Sequence, residues 1–184
     1  ALMLSSIFFD IRVIYGDKSL LQNIQQKIVG ITKNNQLFLA HMTSNALQHR
    51  TPLGFFRDFV LVDEGEHKDT LDLKHKGIVP IIDLARIYAL AEGIDKVNTV
   101  ERLKAAAGSP SLSHDGADNL LDAYEFINRL RMEHQVEQIR NGENADNYLS
   151  PKQLSRLERS HLKDVFKVVQ TMQESLAQRY HTGL

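Results

Sequence analysis

The chain has 184 residues, 42% of them hydrophobic and 24% charged, with a formal net charge of -1 and no cysteine. That size suits one domain or one domain with a small appendage. The balanced charge argues against a nucleic-acid or anionic-membrane binder, which needs a concentrated basic surface. Without cysteine there are no disulfides and no thiolate metal sites, and the expected setting is cytoplasmic. No apolar run approaches a membrane span, and no signal-peptide pattern leads the chain. The start at Ala1, directly in an apolar stretch, suggests a single helical domain over 1–184 excised from a longer protein.

Helical periodicity dominates. Leu4, Ile7, Phe8, Ile11, Ile14 and Tyr15 recur at helical spacing and predict a first helix, with Gly16 at its C-terminal cap. A second helix is predicted from about Asp17 to Lys33, with Leu20, Leu21, Ile24, Ile28 and Ile31 on one face. Asn34 or Asn35 would cap a third, running to about Gln48. Thr51–Lys76 breaks the pattern with Pro52, Gly54, Gly65 and many charges. There Phe59, Leu61, Thr70, Leu71 and Leu73 could form two short arms around the turn Asp63–Glu66, or an irregular loop.

Helix resumes near Gly77 and continues to Gly93. A short helix follows from Asn98 or Thr99 to Ala107, stopped by Gly108 and Pro110. The two longest helices come last. One is predicted from about Asp115 to Asn141, with Leu120, Leu121, Tyr124, Ile127 and Leu130 inward. The other starts at Ser150–Pro151, carries Leu154, Leu157, Val165, Val169 and Leu176, and ends near Tyr180. The short polar link 142–147 would pack them antiparallel. The expected fold is therefore an all-α helical bundle of about six helices, a four-helix-bundle core with one irregular loop or short hairpin around 51–76.

Several charged residues interrupt apolar patterns. Asp83 and Arg86 stand i, i+3 on one helix face. Asp72 and Lys74, two apart, would point the same way from an extended arm. Together they read either as a polar rim for an anionic ligand or partner, or as an ion-pair network pinning the loop. Asp10 and Arg12 interrupt the first helix. Arg57 follows Gly54, Phe55 and Phe56 in a compact loop that could anchor its guanidinium. Arg131, His134 and Gln135 follow the inward stripe that ends at Leu130, so His134 should be partly buried. It could meet His161 across the antiparallel pair, but no HExxH and no carboxylate at ligand spacing supports a metal. No G-x-S-x-G, P-loop or G-x-G-x-x-G occurs.

Several segments together resemble one family. They are FFDIRVIYGD (8–17), TPLGFFRDFV (51–60), LDLKHKGIVPIIDLARIYAL (71–90), NTVERLKAAAG (98–108), DAYEFINRLRMEHQ (122–135) and DNYLSPKQLSRLERSHLKDVFKVV (146–169). The family is the putative nucleotidyltransferase substrate-binding domain, the C-terminal helical part of bacterial signal-transduction proteins with CBS or cyclic-nucleotide-binding modules. More distantly the chain is similar to the helical domains of PII uridylyltransferase and glutamine synthetase adenylyltransferase. Asp72 and Lys74 match the D-x-K of their motif. Gly77 and Asp83 match its continuation loosely, without the paired glycines, and Arg12 and Gly16 match an arginine-then-glycine segment.

The resemblance implies a non-catalytic bundle that packs on a polymerase-β-like nucleotidyltransferase domain of the same parent chain and helps form its substrate cleft. Arg12, Arg57, Lys74 and Arg86 would supply positive potential. Asp72, Asp83 and His134 would orient them, and Arg131 would join the substrate-binding set. No catalytic residue and no cofactor is implied for this chain. Mg and a nucleoside triphosphate belong with the missing catalytic domain. Regulatory CBS or cyclic-nucleotide-binding domains, a protein acceptor and a homodimer are the further partners it admits; nucleic acid and membrane are not among them. The alternative is a structural dimerisation or signal-relay module, with an exposed apolar patch and no small-ligand site.

Overall fold

The computed structural model describes residues 7–54 and 58–182. It is an all-α helical bundle, as the periodicity predicts. The helices are α1 Ser19–Thr32, α2 Gln36–Ala46, α3 Val79–Glu92, α4 Thr99–Ala106, α5 His114–Arg140 and α6 Arg156–Arg179. β1 Leu71–Asp72 pairs antiparallel with β2 Tyr148–Leu149, Leu71 opposite Leu149 and Asp72 opposite Tyr148. A π-helical turn, Leu73–Ile78, leads into α3, and a 3-10 turn, Pro151–Gln153, precedes α6.

Local chemistry explains the boundaries. Asn35 Oδ1 accepts from Phe38 N at the start of α2, and Asn98 Oδ1 accepts from Val100 N and Glu101 N at the start of α4. Gly93 and Gly108 follow α3 and α4 with φ of +74° and +75°, the left-handed stop that glycine adopts without a Cβ clash. The last helix starts later than Ser150–Pro151 predicts. Ser155 and Glu158 form a reciprocal capping box: Ser155 N donates to Glu158 Oε2 at 2.8 Å, and Glu158 N donates to Ser155 Oγ at 3.2 Å.

The described residues form two compact units, each from separated stretches of chain. The first comprises 7–48, 82–119 and 172–182; the second comprises 49–81 and 120–171. Leu39, Met42, Leu84, Tyr88, Leu103 and Leu176 are among the buried residues of the first. In the second, Leu71, Leu73, Ile81, Ile127, Leu162 and Phe166 are fully buried. Gly77 is buried there as well. A Cβ at that position would sit 3.0 Å from Ile127 Cγ2, so a larger residue there must push the Ile127 side chain aside.

Three expectations change. The first helix is helical at Ile7 and Phe8, then ends, and the chain turns at Phe9 and Asp10. The reason is a distant partner: the Phe9 carbonyl accepts from Arg102 at 2.6 Å and so is not given to a continuing helical ladder. Ile14 and Tyr15, expected inward, are 91% and 98% exposed; Leu4 lies outside the described residues. Second, α1 forms where predicted, but it buries Val29 and Thr32 and leaves Leu20, Ile24 and Ile31 in solvent. Third, Leu157 on α6 is exposed rather than inward. Among the described residues the excursion 51–76 holds a bridge, Leu53 with Phe59, and a narrow neck where Val62 N donates to Thr70 O and Asp69 N to Val62 O. Its regular strand pairs with Tyr148–Leu149 instead of closing a hairpin on itself.

Candidate functional site

In the first unit the charged residues close on one another. Arg86 on α3 donates to Asp83 Oδ1 at 2.5 Å and to Asp10 Oδ2 at 2.6 Å. Arg102 on α4 donates to Asp10 Oδ1 at 2.8 Å, and its other nitrogens go to the carbonyls of Phe9 and Lys96 at 2.6 Å each. Both arginine side chains are buried, whereas the Asp10 side chain is 40% exposed. Partial burial raises the Asp10 pKa, but the hydrogen bond and charge of Arg86, then those of Arg102, hold it below the usual carboxylate range. Burial works against the Arg86 cation, yet Asp10 and Asp83 more than offset it and raise its pKa. Buried guanidiniums with their donors taken by carboxylates and carbonyls hold an architecture rather than greet a ligand.

The second unit contains a looser polar assembly. Asp72 caps the π-helical turn: its Oδ1 accepts from Lys74 N at 3.0 Å and from His75 N at 2.8 Å, and its Oδ2 lies 2.9 Å from His75 Nδ1. Asp72 therefore starts a turn, and Lys74 is not on an extended arm beside it. Asp146, in the link after α5, collects another set. His134 Nε2 lies 3.2 Å from its Oδ1, Tyr148 N donates to the same oxygen at 2.9 Å, and His67 Nδ1 lies 3.8 Å from Oδ2. Partial burial opposes ionisation of Asp146, but the Tyr148 amide and His134 outweigh it and lower its pKa. Arg131 donates to Asn147 Oδ1, and Gln135 donates to the Asp146 carbonyl at 3.0 Å. The rings of His67 and Tyr148 stack with centroids 3.7 Å apart and planes 7° apart.

Next to this stack lies an open groove of about 790 Å³, lined among others by Arg50, Val62, His67, Asp72, Lys76 and Tyr148. Its volume falls within the range of ligand sites, roughly 300–1,000 Å³. The first unit has a smaller groove of about 240 Å³, where Arg12, Lys18 and Lys96 face Asp95 and Glu101.

The predicted site residues therefore divide. Asp83 and Arg86 meet as their spacing requires, with Asp10 and Arg102 joining them. His134 is buried as expected, but it turns to Asp146, while His161 stacks on Phe126 at 4.1 Å. The side chains of Arg12 and Lys74 are exposed and engage no carboxylate among the described residues. Arg57 lies outside the described residues. Asp146 and Arg102 escaped the sequence reading. The only signal for Asp146 was an acid inside the polar link, and the only signal for Arg102 was a cation on the buried side of a short helix.

Among the described residues no three His, Cys, Asp or Glu side chains gather as a metal site, and no helix is long and apolar enough to cross a membrane. A comparison with protein families finds a match over residues 36–180 to the model described as Putative nucleotidyltransferase substrate binding domain. Neither the curated proteins nor the solved structures contain a match to this chain.

Proposed function

The chain belongs to the putative nucleotidyltransferase substrate binding domain family, and we propose that it is the non-catalytic half of a nucleotidyltransferase. It packs on a polymerase-β-like catalytic domain of the same parent protein and helps bind or position the nucleotide or the acceptor. The parent is a bacterial signalling protein of the uridylyl- or adenylyltransferase type, regulated by CBS or cyclic-nucleotide-binding modules. The observation that carries this reading is the open groove beside the D-x-K segment, inside the matched residues and lined by Asp72, Lys76, His67 and Tyr148. Lys74 and Arg12 are the candidate residues whose charge is free for a ligand. Arg57 stays in the proposed set. Arg86, Asp83, Arg131 and His134 act by holding shape.

Divalent-metal chemistry does not belong to these residues: Asp10 and Asp83 are bound to arginine, and Asp72 and Asp146 are engaged by backbone amides and histidines. Metal handling falls to the catalytic partner.

The test is calorimetric titration of this chain with the catalytic domain expressed separately, then with nucleotide and acceptor added to the complex. The expected result is a stoichiometric complex whose affinity for nucleotide or acceptor falls at least about threefold with Lys74→Ala or Arg12→Ala, at unchanged melting temperature. Equal affinities would remove those residues from the site, and absence of a complex would overturn the reading. One observation favours a second reading, a dimerisation or relay module: Leu20, Ile24 and Ile31 form an exposed apolar stripe on α1.

A further inference from the structure

The last helix contains a constellation that the charge balance of the chain conceals. Arg156, Arg159, Ser160 and Lys163 are spaced i, i+3, i+4 and i+7, so they share a strip about 100° wide on the first two turns of α6. All four line one open groove of about 530 Å³, together with Asp58 and the ring of Phe59. Three cations thus face one carboxylate there, although the whole chain carries a net charge of -1.

The pairing is incomplete in a telling way. Lys163 Nζ lies 3.1 Å from Asp58 Oδ1 and 5.3 Å from the centroid of the Phe59 ring. Arg156 and Arg159 have no carboxylate partner among the described residues, whereas Arg86 has two and Arg102 and Arg129 have one each. The nearby Glu158 closes the capping box with Ser155 and pairs with neither arginine. Ser155 and Glu158 thereby engage each other's backbone amides at the helix start, and the groove is lined by side chains.

We propose that this groove binds the polyphosphate chain of a nucleoside triphosphate. Every polar side chain that α6 places in it can donate: two guanidinium forks, an ammonium and a hydroxyl. Guanidinium forks match phosphate oxygens in pairs. From Arg156 to Lys163 the helix advances about 10 Å, a span that linked phosphates fill and a single carboxylate does not. The half-exposed Phe59 ring offers an apolar wall for the nucleoside. The choice of a nucleoside triphosphate rests on the function proposed above; the anion groove itself does not.

Calorimetric titration of the chain with ATP, AMP and inorganic tripolyphosphate tests this. ATP and tripolyphosphate should compete for one site, with AMP at least about tenfold weaker. The exposed double variant Arg156→Ala/Arg159→Ala should weaken ATP and tripolyphosphate at least about tenfold without changing the circular dichroism or melting curve. Asp58→Asn should strengthen both. Unchanged ATP affinity in the double variant would overturn the proposal, as would binding of polyglutamate in preference to tripolyphosphate. The two readings also fail separately. Loss of the complex with the catalytic domain, while tripolyphosphate still binds, removes the proposed function and leaves the anion groove. A complex that binds ATP regardless of Arg156 and Arg159 removes the groove and leaves the function.

Discussion

Helices α1 and α3 have the same length, 14 residues, and both show an apolar pattern, yet they have opposite fates. From Ile81 to Leu90 α3 is buried almost throughout, Arg86 included. Helix α1 buries Val29 and Thr32 and presents Leu20, Ile24 and Ile31, which are 71%, 55% and 68% exposed. Residues 36–180 carry the family match, and α1 lies before it. The difference shows that helical periodicity reports a helix without reporting what covers it. A buried charge such as Arg86 demands a partner, and the chain brings Asp10 from 76 residues away. The exposed neutral amides of α1, Gln22, Asn23 and Gln26, make no such demand.

The sharpest way to break this comparison is truncation on each helix. Ile87→Ala should cost about 3 kcal/mol in denaturant unfolding, as for other large-to-small core changes. Ile24→Ser on α1 should cost less than about 0.5 kcal/mol. Equal costs would mean that the α1 stripe is covered in solution, and sedimentation at rising concentration would then show an assembly that Ile24→Ser disperses.

The second effect concerns the clamp on α3. Asp10→Ala leaves two buried guanidiniums short of a carboxylate and should cost about 2–3 kcal/mol, discounted for the exposure of Asp10 itself. The same residue predicts a pH dependence. Its folded pKa is depressed below the ordinary value of 3.8, so its stabilisation is complete above that value and disappears as pH falls through the lower folded value. Acid titration of stability should accordingly be steeper below about pH 4 in the wild type than in Asp10→Asn. Parallel curves would show that the clamp adds nothing. A smaller effect belongs to the turn that feeds α3. Gly77→Ala should cost about 1–2 kcal/mol by forcing Ile127 aside, and pairing it with Ile127→Leu, which lacks the Cγ2 branch, should recover part of the loss.

Much of the architecture could be read from local chemistry. Asn35, Asn98, Gly93 and Gly108 act where caps and stops were expected, because those signals work over three or four residues. Errors arose where a distant partner decided the outcome. Arg102, 93 residues on, takes the Phe9 carbonyl and ends the first helical stretch. The capping box of Ser155 and Glu158 displaced the start of α6 from Pro151. For the candidate site, the i, i+3 pairing of Asp83 with Arg86 was legible, being a matter of spacing on one helix. The roles of Asp146, His67 and Tyr148 were not, since they depend on which loop lies against which.

The order of segments along the chain carries a consequence for synthesis. The second unit is complete once residue 171 has been made, whereas the first still awaits 172–182, which bring the buried Gln173, Leu176, Ala177 and Tyr180. The two units therefore alternate along the sequence. On a ribosome the second unit can condense while the first stands open, with Asp10, Arg86 and Arg102 already out and their clamp available to hold the early helices until the final turns of α6 arrive.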